Sequence, residues 1–329
     1  MNPLAIDSIG MLTPLAADAG GSVSCMYIGA RRFDELGLGQ KGAKTAIPDT
    51  MVGPDRLVRL GGYALFEAVY EALAAEKLGL VVCAPSEAEE PALTGRSADL
   101  LAGLAVESEL SFVPRASRVF ASGRDAIFDA LPFARAALLQ PDLAAVCLLG
   151  VDSLVTKPRL RRLLEQGATP GAGSWVPGEA AATVVLTRTT DPQALALLRS
   201  FGAARESAVG QQAPLNLGKG LLAAIDQAVA HAQLTQPVFS GLVHDMAGSA
   251  AETEELAWAK TGRAFAGSAD MQCLFPHVST GDAGAAMGVL ALATSAFLID
   301  RRAWSTAGLC CFTSAQQRGA VILMPALLA

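Results

Sequence analysis

Charge is scarce in this chain. Only 17% of its 329 residues are Asp, Glu, Lys or Arg, and the balance is acidic: 31 carboxylates against 25 Lys and Arg, a formal net charge of −6. Phosphate binding needs a basic face, so nucleic acid is excluded as a main partner. Histidine occurs three times (His231, His244, His277), with no ligand spacing to cysteine, so no metal site is expected. The cysteines Cys25, Cys83, Cys147, Cys273, Cys310 and Cys311 form no CxxC pair and no disulfide framework. Most lie in apolar runs and read as reduced core residues of a cytoplasmic protein. Met1-Asn2-Pro3-Leu4 has neither the basic start nor the apolar stretch of a signal peptide. The longest uncharged run, between Asp282 and Asp300, is too short for a confident membrane span, so no membrane partner is expected.

Apolar residues, by contrast, are abundant at 52%, which suggests elements buried on more than one face. Residues 3–11 read as an opening strand and 12–50 as irregular surface loops. Residues 55–76 carry helical spacing. Leu78–Ala84 is a short apolar run between Gly79 and Pro85, the pattern of a buried parallel strand. A short strand at 118–121, a helix at 125–139 interrupted by Pro132, and strands at 143–150 and 180–186 follow. Lys157–Gln166 reads as a surface helix whose basic residues Lys157, Arg159, Arg161 and Arg162 form a solvated face. The pattern then restarts: strand 194–202, helix 217–232, strand 237–243, helix 250–260, apolar helix 284–299, and paired closing strands at 309–312 and 320–324. A helix that is apolar all round must be covered on every side. Two such helices between sheets predict a duplicated, layered α/β architecture with halves 1–190 and 191–329.

Four segments, in order from about residue 115 onward, carry a resemblance to the β-ketoacyl synthase branch of the thiolase superfamily. Leu149-Gly150-Val151-Asp152-Ser153 resembles its Gly-Gly-Val-Asp turn. Pro177-Gly178-Glu179-Ala180-Ala181 resembles its Gly-Glu-Gly-Ala strand entry. Val243-His244-Asp245, with Glu252 to Glu255 downstream, resembles its His-Gly-Thr-Ser-Thr segment, and Ser279 to Ala286 its Thr-Gly-His-x-x-Gly-Ala-Ala segment. The resemblance implies a thiolase-like αβαβα sandwich with two central buried helices. It also implies a site at their starts, where a cysteine nucleophile, two histidines and an oxyanion hole act on acyl thioesters.

Carried over by position, those roles meet other residues. Counting back from Gly150 puts Arg124 at the cysteine position, and a shift of two puts Ser122 there. Serine attacks a thioester if a base is in reach; otherwise it caps the helix that follows. His244 matches the first histidine, with Asp245 beside it where the family has glycine, a carboxylate placed to keep the imidazole charged. Asp282 stands at the second histidine position, where it repels an enolate or caps the next helix. His277 stands where the family has lysine. The residues from Cys311 to Gln317 replace a glycine-rich Phe-Gly-Phe-Gly-Gly loop, with Phe312 retained as a pocket wall. Glu179 is read as structural, tying down backbone or an arginine.

The expectation is therefore a catalytically degenerate ketosynthase-like protein acting as scaffold, adaptor or partner subunit in the manner of chain-length factors. The alternative is an acyltransferase or hydrolase acting on acyl-CoA or acyl-carrier-protein thioesters through Ser122 and His244. No cofactor is implied. The implied partners are a second copy or a ketosynthase homologue in a dimer, an acyl carrier protein or acyl-CoA. The chain also resembles short bacterial ketosynthase-like proteins encoded near type VI secretion effectors, which implies an effector partner.

Overall fold

A computed structural model describes residues 3–37, 40–167, 175–188, 193–207 and 217–326. The first run of elements is β1 (Leu4–Leu12), α1 (Ala19–Tyr27), β2 (Asp34–Gly37), β3 (Gln40–Gly42), α2 (Gly53–Ala68), α3 (Glu71–Ala74), β4 (Leu78–Ala84), α4 (Ser97–Ser108), β5 (Arg118–Ala121), α5 (Ala126–Ala137), β6 (Ala145–Ser153), α6 (Lys157–Glu165) and β7 (Glu179–Thr187). The second is β8 (Ala196–Arg205), α7 (Lys219–His231), β9 (Phe239–His244), α8 (Ala250–Ala259), β10 (Gln272–Leu274), α9 (His277–Thr280), α10 (Met287–Asp300), β11 (Ala307–Thr313) and β12 (Gln317–Met324).

The strand order is β10-β9-β11-β12-β8-β1-β7-β6-β4-β5, mirrored about the β8–β1 junction. On each side three strands run parallel and two antiparallel: β5, β4 and β6 then β7 and β1; β10, β9 and β11 then β12 and β8. The sequence pattern implied two separate sheets. Leu4, Ala5 and Ile6 instead pair with Leu198, Leu197 and Ala196, joining them edge to edge. The expected boundary at 190/191 lies outside the described residues.

Three buried clusters define the layers. Helices α2 and α4 cover one sheet face with Leu57, Leu60, Leu65, Leu100 and Leu104. Helices α7 and α8 cover the other outer face with Leu221, Ile225 and Leu256. Between the two sides of the ten-stranded sheet lie α5 and α10, with α1 beside them. Every residue of α10 is buried except Phe297 and Asp300, and each of its Val, Leu and Ile side chains contributes about 1.5–3 kcal/mol by burial. A Cβ at Gly288 would stand 3.1 Å from Ile127, so glycine sets how closely α10 approaches α5. Pro132 faces solvent within α5, which runs on through it.

Residues 12–50 are more ordered than their composition suggested. Two glycines and no apolar period hid α1, which starts at an Asp18 side chain accepting from the Gly21 N–H at 2.7 Å. The reading of α6 as a solvated basic face is also corrected. Arg159 is 2% exposed and faces Glu89 at 3.5 Å, and Arg162 donates to the Glu89 carbonyl at 2.5 Å. Of the four basic residues, Lys157 and Arg161 remain exposed. Of the cysteines, Cys25 and Cys273 are half-buried and the other four are core residues; all six are free.

Candidate functional site

The chain enters each central helix through a short 3-10 turn, Gly123–Asp125 before α5 and Gly284–Ala286 before α10. The two turns pack against each other beside the end of β9. The edge strand β5 leads into the first turn, and the edge strand β10, through α9, leads into the second.

Arg124 occupies the junction. Its Nη2 donates to Asp282 Oδ1 at 2.5 Å and its Nη1 to the Asp245 carbonyl at 2.6 Å, with Asp245 Oδ2 at 3.8 Å. Burial opposes the guanidinium charge, but Asp282, Asp245 and Glu252 outweigh it and lift the pKa above the ordinary arginine value. Asp282 is the reciprocal case. Burial pulls its pKa up, while Arg124, the Trp175 Nε1–H at 2.8 Å and the Gly284 N–H at 2.9 Å hold it below the ordinary value. The Gly284 contact closes a local turn two residues on, neither the 3-10 turn nor α10 has a side-chain cap at its first residue, and the ion pair was not expected. The Asp282 backbone also bonds Val176 O and Gly178 N, each at 2.7 Å, so two of the four motif segments lie edge to edge.

Asp245 does not keep His244 charged. The Met246 N–H donates to His244 Nδ1 at 3.0 Å, so the Nδ1 lone pair is taken up there and Nδ1 carries no proton to offer Asp245 Oδ1, 3.7 Å away. The ring's proton then sits on Nε2, which is buried and has no partner among the described residues. Burial pushes the imidazole pKa down to about 3. The Asp245 carboxyl accepts from Thr313 N at 2.8 Å and Thr313 Oγ1 at 3.0 Å, yet burial pushes its pKa up to about 7.

Ser122 is exposed; its hydroxyl makes no hydrogen bond among the described residues and does not cap the turn it precedes. His277 is 9% exposed on α9, its Nδ1 has no described partner, and burial lowers its pKa. Phe312 is wholly buried in the central cluster. The segment replacing the glycine-rich loop is tied to the start of α5 by Ser314 Oγ, 2.5 Å from Asp125 Oδ1.

Three contributors escaped the sequence reading as site residues: Glu252, Thr313 and Trp175. Glu252 closes a capping box with Ser249, accepts from Ala247 and Gly248 N–H at 3.1 Å, and faces Arg124 electrostatically. Burial works against its ionisation, but Arg124 and those donors keep its pKa below the ordinary value. A Ser-x-x-Glu spacing ahead of α8 was the available signal; Trp175 and Thr313 offered none. Behind the crevice, Asp152 accepts from Ala285 N at 3.0 Å. A Cβ at Gly284, where φ is +50°, would stand 2.1 Å from Asp152 Oδ2. Glu179 accepts from Arg56 Nε and Nη2 at 2.7 Å each, and from Thr45 and Ser153, as a structural anchor. Beside the crevice an open groove of about 520 Å³ is lined by Met246, Leu256, Phe275, His277 and Val278.

No protein-family model matches the sequence, and no curated protein matches it. Solved structures do. A ketosynthase from module 6 of the bacillaene synthase of Bacillus subtilis superposes with a TM-score of 0.76 at 14% identity, over 98% of this chain and 72% of that one. The ketosynthase of the AntDE:AntF complex with its acyl-carrier protein gives 0.75 at 11%, over 98% and 99%. The fold is that of the ketosynthases. The ishigamide ketosynthase/chain length factor gives 0.72 at 13%, over 98% and 99%. Within this ketosynthase-like, thiolase-type fold the two central-helix turns meet, and an arginine–aspartate pair stands between them.

Proposed function

We propose that the chain is a catalytically silent ketosynthase-like protein that acts by binding, as a partner subunit or adaptor. The observation that carries this reading is the Arg124–Asp282 pair. Two charged groups, bonded to each other and to backbone, stand where the resemblance puts a thiolate and an imidazole. A guanidinium held above its ordinary pKa neither attacks a thioester nor takes up a proton, and an ionised Asp282 repels an enolate. Ser122 and His244, the pair an acyltransferase would use, share no hydrogen bond among the described residues.

Two features support a surviving binding role. The open groove lined by Met246 and His277 lies beside the crevice and suits the arm of an acyl-carrier protein or acyl-CoA. The outer edge of β5 ends the sheet and is open to pair with a second copy or a ketosynthase homologue. The neighbours that pair a ketosynthase with a chain length factor or a carrier protein favour both. The division into halves at 190/191 belongs to this reading, supported by the mirrored strand order. So does a cytoplasmic location: all six cysteines are free, and no described helix is long and apolar enough to cross a membrane.

The test is mass spectrometry of the intact chain after incubation with acyl-CoA and with acyl-loaded carrier protein. No covalent adduct is expected, from the parent chain or from Ser122→Ala. An acyl group on Ser122 overturns the binding reading in favour of acyl transfer.

A further inference from the structure

The groove beside the crevice holds one polar side chain that neither the fold nor the Arg124–Asp282 pair uses. Its volume, about 520 Å³, is that of a small-molecule site. Met246, Leu256, Phe275 and Val278 make its walls, and no Lys or Arg lines it among the described residues. Two of its polar side chains are already engaged. The Thr253 hydroxyl donates to the Ser249 carbonyl at 3.1 Å, and Glu254 is exposed to solvent.

His277 differs from both. It lines the groove while only 9% exposed, and its Nδ1 is buried without a hydrogen-bond partner. Its ring stands 6.3 Å from that of Phe275 on one side and feels Glu252, Asp282 and Arg124 on the other, so it forms the boundary between groove and crevice. Burial holds its pKa below the ordinary value, and the ring is neutral at pH 7. A neutral imidazole carries one N–H and one lone pair. Whichever of these Nδ1 presents, leaving it buried and unpaired is costly. A secondary amide has both an N–H and a carbonyl, so it pairs with Nδ1 in either tautomer. A carboxylate offers acceptors only and meets Glu252 and Glu254, which carry its own sign.

We propose that His277 is the hydrogen-bonding anchor of this groove, and that the groove takes an uncharged apolar chain bearing a secondary amide, the amide on the imidazole and the chain along Met246, Leu256 and Phe275. His277 stands where the ketosynthase resemblance puts lysine, so the anchor is this chain's own. The inference rests on the binding role proposed above and names the chemical group that role recognises here. The probes are N-hexylacetamide and ethyl hexyl ether, matched in length with an amide in the first alone, and octanoate as the charged counterpart. Each is titrated against the full chain by ligand-observed NMR. The amide should bind about tenfold tighter than the ether or octanoate. His277→Phe keeps a ring against Phe275 and should bring the amide down to the ether. His277→Asn restores a donor and an acceptor near the Nδ1 position and should recover most of the preference, with melting temperatures confirming that both variants fold. Equal binding of amide and ether by the parent chain, a preference that survives His277→Phe, or octanoate binding as tightly as the amide overturns the proposal. Binding of none of the three overturns it too, and leaves standing the role as partner subunit, which the intact-mass test addresses separately.

Discussion

Arg124 is the side chain on which the crevice depends. Truncating it leaves Asp282, Asp245 and Glu252 buried together without their cation. Removing one partner of a buried pair costs about 3–5 kcal/mol, so Arg124→Ala should lower denaturant stability by that amount. The double variant Arg124→Met, Asp282→Leu should recover most of it, because no unpaired buried charge remains from that pair. Equal losses in both variants, by chemical denaturation, would contradict the pairing. Asp245 supplies a pH signature. Its folded pKa of about 7 lies above the unfolded value near 4, so between those values the folded chain holds a proton that the unfolded chain releases. Stability from this group is therefore full below about pH 4 and is lost as pH rises toward 7, by up to about 1.4 kcal/mol per pH unit. Asp152, also pushed up to about 7 by burial, acts in the same direction. His244 acts oppositely, losing stability as pH falls below about 6.5, since its folded pKa is about 3. In Asp245→Asn the Asp245 slope disappears, so the variant should gain on the parent chain between pH 5 and 7.5. Melting temperatures at those two values check this.

Among the helices and strands, legibility followed burial. β4, β6 and β7 are wholly buried and were plain as unbroken apolar runs, and β5 was found at its observed bounds. α1 was missed because Ala19-Gly20-Gly21-Ser22 has little helical propensity, and packing against α10 makes up for it. β10 was missed because a three-residue edge strand has no period to read. At the site, each altered residue could be seen singly. That Arg124 touches Asp282, 158 residues away, could not be read from one chain, because spacing along a sequence does not report contact across two halves. Two expected outcomes belong to single elements. Gly284→Ala forces a Cβ into Asp152 at a positive φ and should destabilise the chain by more than about 1 kcal/mol; a neutral Tm shift would rule this packing out. The open β5 edge predicts a dimer, and light scattering that finds only the single-chain mass at micromolar concentration would count against it.

For the molecule as a whole, the β1–β8 junction and the Arg124 contacts tie both sides of the ten-stranded sheet into one packed body. Its buried tryptophan Trp304 bonds Gln272 at 3.2 Å, and Trp175 bonds Asp282. Thermal loss of tryptophan fluorescence and of far-ultraviolet dichroism should therefore coincide in one transition; two separated transitions would mean that the sides unfold independently. The bridging guanidinium also restricts what this chain can become. Exchange of Arg124 for cysteine alone strands three carboxyl groups, and exchange of Asp282 for histidine alone sets a second basic group against the arginine. Each single exchange breaks the buried pair and is therefore expected to be less stable than the present chain, so the two positions are constrained to change together.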